Sequence, residues 1–213
     1  MKGVIERMAE EALGDERVTT KIERKEAIDR ILETSPTGNS TWVFGYGSLI
    51  WNPAIHYYQK MIGTAYGYRR TFSLWSTIGR GSSANPGLLL ALEPGGSCKG
   101  VLYRIRKDDR RQELDILFRR ELVTAAYRPV WASIRTPKGR ALKAITFVID
   151  RSHPRYAGLL DKDTVAEIIA TAEGPLGSCA NYLYQTAEHL ETLGIPDRQL
   201  TALAQKVRQL SDF

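Results

Sequence analysis

Two hydrophobic rhythms alternate along this chain. In residues 1–34 the rhythm is helical: Ala27, Ile28, Ile31 and Leu32 recur on one side among Lys, Arg and Glu, which predicts a charged amphipathic helix. Residues 34–41, Thr34-Ser35-Pro36-Thr37-Gly38-Asn39-Ser40-Thr41, are turn and breaker types and read as a linker. From Trp42 the rhythm becomes that of strands. Trp42-Val43-Phe44 is a short apolar run closed by glycine, and residues 61–75 mix β-branched and aromatic residues with Gly63 and Gly67, as a curved or bulged strand does. Leu88 to Leu92 is a further run, stopped by Glu93-Pro94-Gly95-Gly96. Alternation then marks strands at 101–106, 130–134 and 142–149. A helix from about Asp108 to Leu122, with Asp108 or Asp109 as its cap, interrupts them. Helices at about 163–173, 179–193 and 197–210 follow, separated by Gly174-Pro175 and Gly194-Ile195-Pro196-Asp197. Six short strands with one helix between them predict an α+β protein: a small mixed β-barrel with flanking helices over residues 41–213, preceded by a helical extension and linker over 1–40.

One position breaks the helical pattern. Leu114, Leu117, Phe118, Glu121 and Leu122 share a face by the i, i+3, i+4, i+7 rule, while Arg110, Arg111, Glu113, Asp115, Arg119 and Arg120 occupy much of the rest. Glu121 thus stands on the inward stripe, where an ionised carboxylate is costly unless it is paired. Either it is held there for chemistry, or it lies at the helix end and reaches water or Arg128. A second feature is Gly45-Tyr46-Gly47-Ser48-Leu49, directly after a strand. Glycines there let the backbone turn sharply and bring N–H groups close to a ligand. It is neither a dinucleotide fingerprint, since Ile50 stands where a third glycine is needed, nor a nucleophile elbow, since Tyr46 and Ile50 flank Ser48 where glycines belong. A plain turn is the alternative. Arg69-Arg70 can hold a carboxylate or lie solvated. Tyr127, Tyr182, Trp51, Trp75 and Trp131 can line a pocket or fill a core.

Composition narrows the classes. The hydrophobic share of 43% and charged share of 25% are those of a globular protein. No apolar run approaches the roughly 20 residues of a membrane span, and the charged N-terminus has no signal-peptide core, so a cytoplasmic protein is expected. Cys98 and Cys179 are far apart, and His56, His153 and His189 fit no metal-binding pattern, so reduced thiols and no metal are expected. The net charge of +6 is scattered in short clusters rather than a basic tract, which argues against a nucleic-acid partner.

The motifs in order resemble one family. Trp-Val-Phe-Gly-Tyr-Gly-Ser-Leu-Ile-Trp-Asn-Pro (42–53), Gly67-Tyr68-Arg69-Arg70-Thr71-Phe72, Asn85-Pro86-Gly87, Gly100-Val101-Leu102-Tyr103, Leu117 to Tyr127 and Gly174 to Leu183 are similar to segments of the ChaC-type γ-glutamylcyclotransferases. The resemblance runs from about 42 to 210. It implies the γ-glutamylcyclotransferase-like fold and the cleavage of glutathione to 5-oxoproline and cysteinylglycine, without cofactor or metal. It also implies that Glu121 is the catalytic glutamate. The candidate substrate-binding set is Gly45, Tyr46, Gly47, Ser48, Leu49, Ile50, Arg70, Tyr127 and Tyr182. Two departures stand out: Phe118 where Trp is common, and Ala125-Ala126 where a pair containing Gly is usual, which predicts a stiffer loop after Glu121. Other γ-glutamyl substrates, or a non-catalytic binding protein on the same barrel, are the alternatives.

Overall fold

A computed structural model of the chain describes residues 18–36 and 41–211. Five strands close into a barrel in the order β1-β3-β2-β4-β5. They are β1 (Thr41–Gly45), β2 (Gln59–Ser76), β3 (Gly87–Ile105), β4 (Tyr127–Arg135) and β5 (Ala141–Ile149). All contacts are antiparallel except the closing one, where β1 meets β5 in parallel at Val43↔Ile145. Closure removes the open edges that a strand run of this kind would otherwise present. β1 is covered on both faces, so every one of its residues is buried, which explains why Trp42-Val43-Phe44 reads as a continuous apolar run rather than an alternating one.

The strand expectations hold with one correction. The runs at 88–92 and 101–105 are two ends of a single strand, and Glu93-Pro94-Gly95-Gly96 does not stop it. The pairing shifts there, with Tyr66 opposite Ser97 and Tyr68 opposite Pro94, so Gly95 and Gly96 form the wide side of a bulge facing Gly67. All three glycines have positive φ, which the bend requires. The expected bulged strand at 61–75 is part of β2, which carries a second irregularity between Phe72 and Leu74.

Among the described residues five helices pack around the barrel: α1 (Lys21–Glu33), α2 (Arg110–Glu121), α3 (Lys162–Thr171), α4 (Cys179–Thr192) and α5 (Arg198–Ser211). A two-residue hairpin, β6 (Glu173–Gly174) and β7 (Gly177–Ser178), links α3 to α4. α1 begins with a capping box between Thr20 and Glu23. It docks on α2 and β4 through buried Ile28 and Ile31, an Arg111–Asp29 pair at 2.6 Å, and a 2.8 Å bond from Trp131 Nε1 to the Ile31 carbonyl. Residues 1–17 of the expected N-terminal helix and 37–40 of the expected linker lie outside the described residues. In α2 Asp109 occupies the N-cap position without a side-chain cap bond. Leu114, Leu117, Phe118 and Leu122 are buried as the stripe predicted. Glu113, read from the pattern as part of the outer face, is also buried, and accepts the His56 N–H at 2.8 Å.

Candidate active site

The turn after β1 is held by its carbonyls. Arg70 Nε donates to the Tyr46 carbonyl at 2.6 Å, and the Tyr103 hydroxyl donates to that of Leu49 at 2.8 Å. Ile50 N–H closes on Gly47 O and Asn52 N–H on Ser48 O, giving a 3-10 turn over Ser48–Ile50. With the acceptors engaged inside the protein, the donors are left over: among the described residues the N–H groups of Gly47, Ser48 and Leu49 bond to no backbone carbonyl. These residues line a cavity of about 450 Å³, a size typical of small-ligand sites.

Glu121 lines the same cavity. It ends α2, and its side chain is 14% exposed. The bridge to the turn is Arg120, whose Nε lies 3.2 Å from Glu121 Oε1, while Nη2 donates to Ser48 Oγ at 2.6 Å and Nη1 to the Asn52 carbonyl at 2.5 Å. Arg128 is not the partner of Glu121; it faces Asp150 at 3.7 Å. Burial pushes the Glu121 carboxyl above the ordinary glutamate value, against the downward pull of Arg120.

Three tyrosines complete this end. Tyr46, Tyr127 and Tyr182 line the cavity. Burial raises all three phenols, and the nearby Glu121 charge adds to the rise. They are therefore neutral hydroxyls at any working pH. Tyr127 donates to the Leu90 carbonyl at 2.7 Å. A Cβ on Gly47 would lie 2.9 Å from the Tyr182 hydroxyl, so only glycine leaves that approach open. Trp51, also in the lining, is fixed by a 3.3 Å bond from its Nε1 to Thr186 Oγ1 on α4.

Of the residues singled out in the sequence, Glu121, Tyr46, Gly47, Ser48, Leu49, Tyr127 and Tyr182 come together here. Gly45, Ile50 and Arg70 do not line the cavity. Gly45 is within β1, where a Cβ would meet Leu49 Cβ at 2.8 Å, and Ile50 is buried in the core. The carboxylate that Arg70 holds is the protein's own: besides Tyr46 O it binds Asp197 Oδ2 and the Lys99 carbonyl, each at 2.6 Å, and its side chain is 2% exposed. It positions the turn from behind. Pattern reading missed Arg120, which lies on the polar side of the α2 repeat but, in the last turn of the helix, reaches across to Ser48 and Asn52. It also missed Arg80, Ser76, Ile78 and Leu176, which form the far wall; the signals present were Gly79-Arg80-Gly81, a close-approach pattern within the loop, and the Gly174 to Leu183 segment that contains Leu176. Among the described residues no group of three His, Cys, Asp or Glu side chains is placed to hold a metal, and no helix is long and apolar enough to cross a membrane.

Comparison with known proteins agrees with this geometry. The family model of the ChaC-like protein matches residues 41–210. The chain is 39% identical over 188 residues to the glutathione-specific gamma-glutamylcyclotransferase of Escherichia coli (strain K12), covering 88% of this chain and 81% of that protein. It is 30% identical over 172 residues to the human glutathione-specific gamma-glutamylcyclotransferase 1, with 78% of each covered. Among solved structures, the yeast γ-glutamyl cyclotransferase specific to glutathione superposes with a TM-score of 0.75 over 80% of this chain and 96% of that one, at 24% identity, a likeness of fold.

Proposed function

The chain belongs to the ChaC-like protein family, and we propose that it is a glutathione-specific γ-glutamylcyclotransferase that uses Glu121 as its general acid/base. The observation that carries this reading is the half-buried Glu121 carboxylate facing the same cavity as the turn amides, with Arg120 joining the two. The names of the relatives supply the substrate class.

A γ-glutamyl amide contains its own nucleophile. The α-amine attacks the γ-carbonyl, a five-membered lactam closes, and the amide nitrogen leaves with a proton. The enzyme first has to curl the substrate so that amine and carbonyl meet, which the walls of a cavity this size can do. It next has to take a proton from an α-ammonium whose pKa is about 8 in peptides. An ordinary glutamate, at about 4.3, is a weak base for that task; a carboxyl raised by burial is a better one. Glu121 takes this proton and returns one to the departing nitrogen, so the step is neutral overall and needs no water. The oxyanion formed between attack and departure is met by the amides of the Gly47 to Leu49 turn and by the neutral Tyr182 hydroxyl beside Gly47, donors fixed before the reaction begins.

The decisive experiment is to incubate the purified protein with glutathione and with a panel of other γ-glutamyl peptides and amines, and to measure 5-oxoproline by mass spectrometry. Release from glutathione above all others is expected. Release from a γ-glutamyl amine instead keeps the chemistry and changes the substrate. Binding of glutathione without any product marks a non-catalytic protein and ends the proposal.

A further inference from the structure

The cavity extends away from Glu121 to a second wall. Ser76 lines it from the end of β2, Ile78, Gly79 and Arg80 from the connection between β2 and β3, and Leu176 from the β6–β7 hairpin. This wall is stitched to the barrel. The Arg80 N–H donates to Ser76 Oγ at 3.1 Å, and the Leu176 N–H donates to the Gly79 carbonyl at 2.9 Å. At Gly81 two backbones touch: a Cβ there would lie 2.1 Å from Gly87 N and 2.4 Å from Ser76 O. Arg80 therefore projects from a fixed backbone.

Its guanidinium is under-used. Of five N–H donors, Nη1 alone makes a hydrogen bond among the described residues, a long one of 3.3 Å to the Ser178 carbonyl. No carboxylate of the described residues pairs with it, and its carbon lies 5.9 Å from the centroid of the Tyr182 ring. The other cavity arginines are engaged: Arg120 with Glu121, Ser48 and Asn52, and Arg155 with Thr77 Oγ1. Burial depresses the Arg80 pKa, the mark of a partly desolvated cation with no anion beside it. Such a group is costly until a carboxylate arrives, and the planar fork of arginine fits one with two parallel bonds.

We propose that Arg80 is the carboxylate subsite of this cavity, holding the terminal carboxylate on the leaving side of the substrate, which in glutathione is that of glycine. The inference rests on the cyclotransferase reading and adds to it the origin of peptide selectivity. The turn amides and Glu121 take the γ-glutamyl end. The terminal carboxylate lies two residues further on, about 7 Å along an extended chain. Tyr182 spans the two places, with its hydroxyl beside Gly47 and Arg80 over its ring. A γ-glutamyl amine without that carboxylate leaves Arg80 unpaired and gains nothing from it.

The test compares glutathione with glutathione amidated at its glycine, in wild type and in Arg80→Gln, by initial rates of 5-oxoproline release. For glutathione the substitution is expected to lower kcat/KM about 10- to 100-fold, mostly through KM. The amide is expected to be poor with wild type and no worse with the variant. Arg80→Lys should recover part of the loss, because it restores charge without the fork, and matching thermal melts of all three proteins separate binding from folding. Equal losses on both substrates overturn the subsite and leave the cyclotransferase standing. A wild-type protein that releases 5-oxoproline from neither substrate overturns both.

Discussion

At the scale of single residues the protein turns on where one proton sits. The Glu121 side chain is largely withdrawn from water, and burial raises its pKa despite Arg120 beside it. A general base works in its ionised form, so kcat/KM is expected to fall as pH drops through the Glu121 pKa, with the acid limb centred above the ordinary glutamate value of about 4.3. An acid limb at or below that value would remove Glu121 from the role of base. Glu121→Gln is expected to lower kcat by about 10²–10⁴-fold. Its effect on stability has the opposite sign. The folded state binds the Glu121 proton more tightly than the unfolded chain does, so that contribution is full below the unfolded pKa and is lost as pH rises through the folded one. Above its folded pKa the wild type carries a largely buried ionised carboxylate that the amide variant lacks. The variant should therefore melt higher than wild type on the alkaline side of that pKa, and the advantage should shrink on acidification. A variant that melts far lower at pH 7 would instead tie its lost activity to a damaged fold. This residue was legible in the sequence because a charge on an apolar stripe contradicts the helical period. Arg120 was not, because a charge on the polar side agrees with the period and gives no sign of turning toward Ser48.

At the scale of elements, the turn that follows α2 carries a conformational cost that only one residue type avoids. Ala125 has φ of +57°, the left-handed region, and its N–H reaches the Leu122 carbonyl at a long 3.4 Å. A β-carbon in that region costs about 1–2 kcal/mol, offset in part by the smaller entropy that alanine loses on folding. The family resemblance placed a glycine-containing pair at this point of the chain, and the backbone angle supplies the physical reason. Ala125→Gly is expected to raise the free energy of unfolding by about 1 kcal/mol, measured by urea denaturation; a loss of stability would mean that the methyl group packs better than the angle costs. The same reasoning explains what strand patterns could and could not convey. Alternation and apolar runs placed all five barrel strands. The one misplaced boundary, at Pro94-Gly95-Gly96, arose because a strand end and a bulge favour the same residues: glycines for positive φ and a proline without an N–H. What decides between them is whether a partner strand has a matching irregularity, and Gly67 lies too far off in sequence for a local pattern to reveal the match. The far wall of the cavity was hidden for a like reason, since it forms only when the Gly79–Arg80 loop meets the β6–β7 hairpin almost a hundred positions later.

At the scale of the whole molecule, the N-terminal helix is tied to the site at a distance. Sequence reading separated residues 1–40 from the barrel because breakers stand between them. Within that stretch α1 packs on the barrel: Ile28 and Ile31 belong to the same hydrophobic core as β1 and α2. Just ahead of α1, the Thr19 N–H donates to the Val123 carbonyl at 2.9 Å. Val123 lines the cavity two residues after Glu121, in the turn already strained at Ala125. α1 therefore supports the end of the helix that presents the carboxylate, although it does not itself line the cavity. Removing residues 1–40 takes two buried isoleucines from the core, each worth about 1.5–3 kcal/mol, so about 3–6 kcal/mol of stability should be lost. It also strips the Trp131 indole and Arg111 of their partners on α1. Because the strained turn loses its clamp, kcat for 5-oxoproline release should fall more than KM rises, even at temperatures where the truncated protein remains folded by circular dichroism. A shortened protein with full turnover and unchanged denaturation midpoint would show that the barrel fixes its own catalytic turn, and that α1 is only a passenger on its surface.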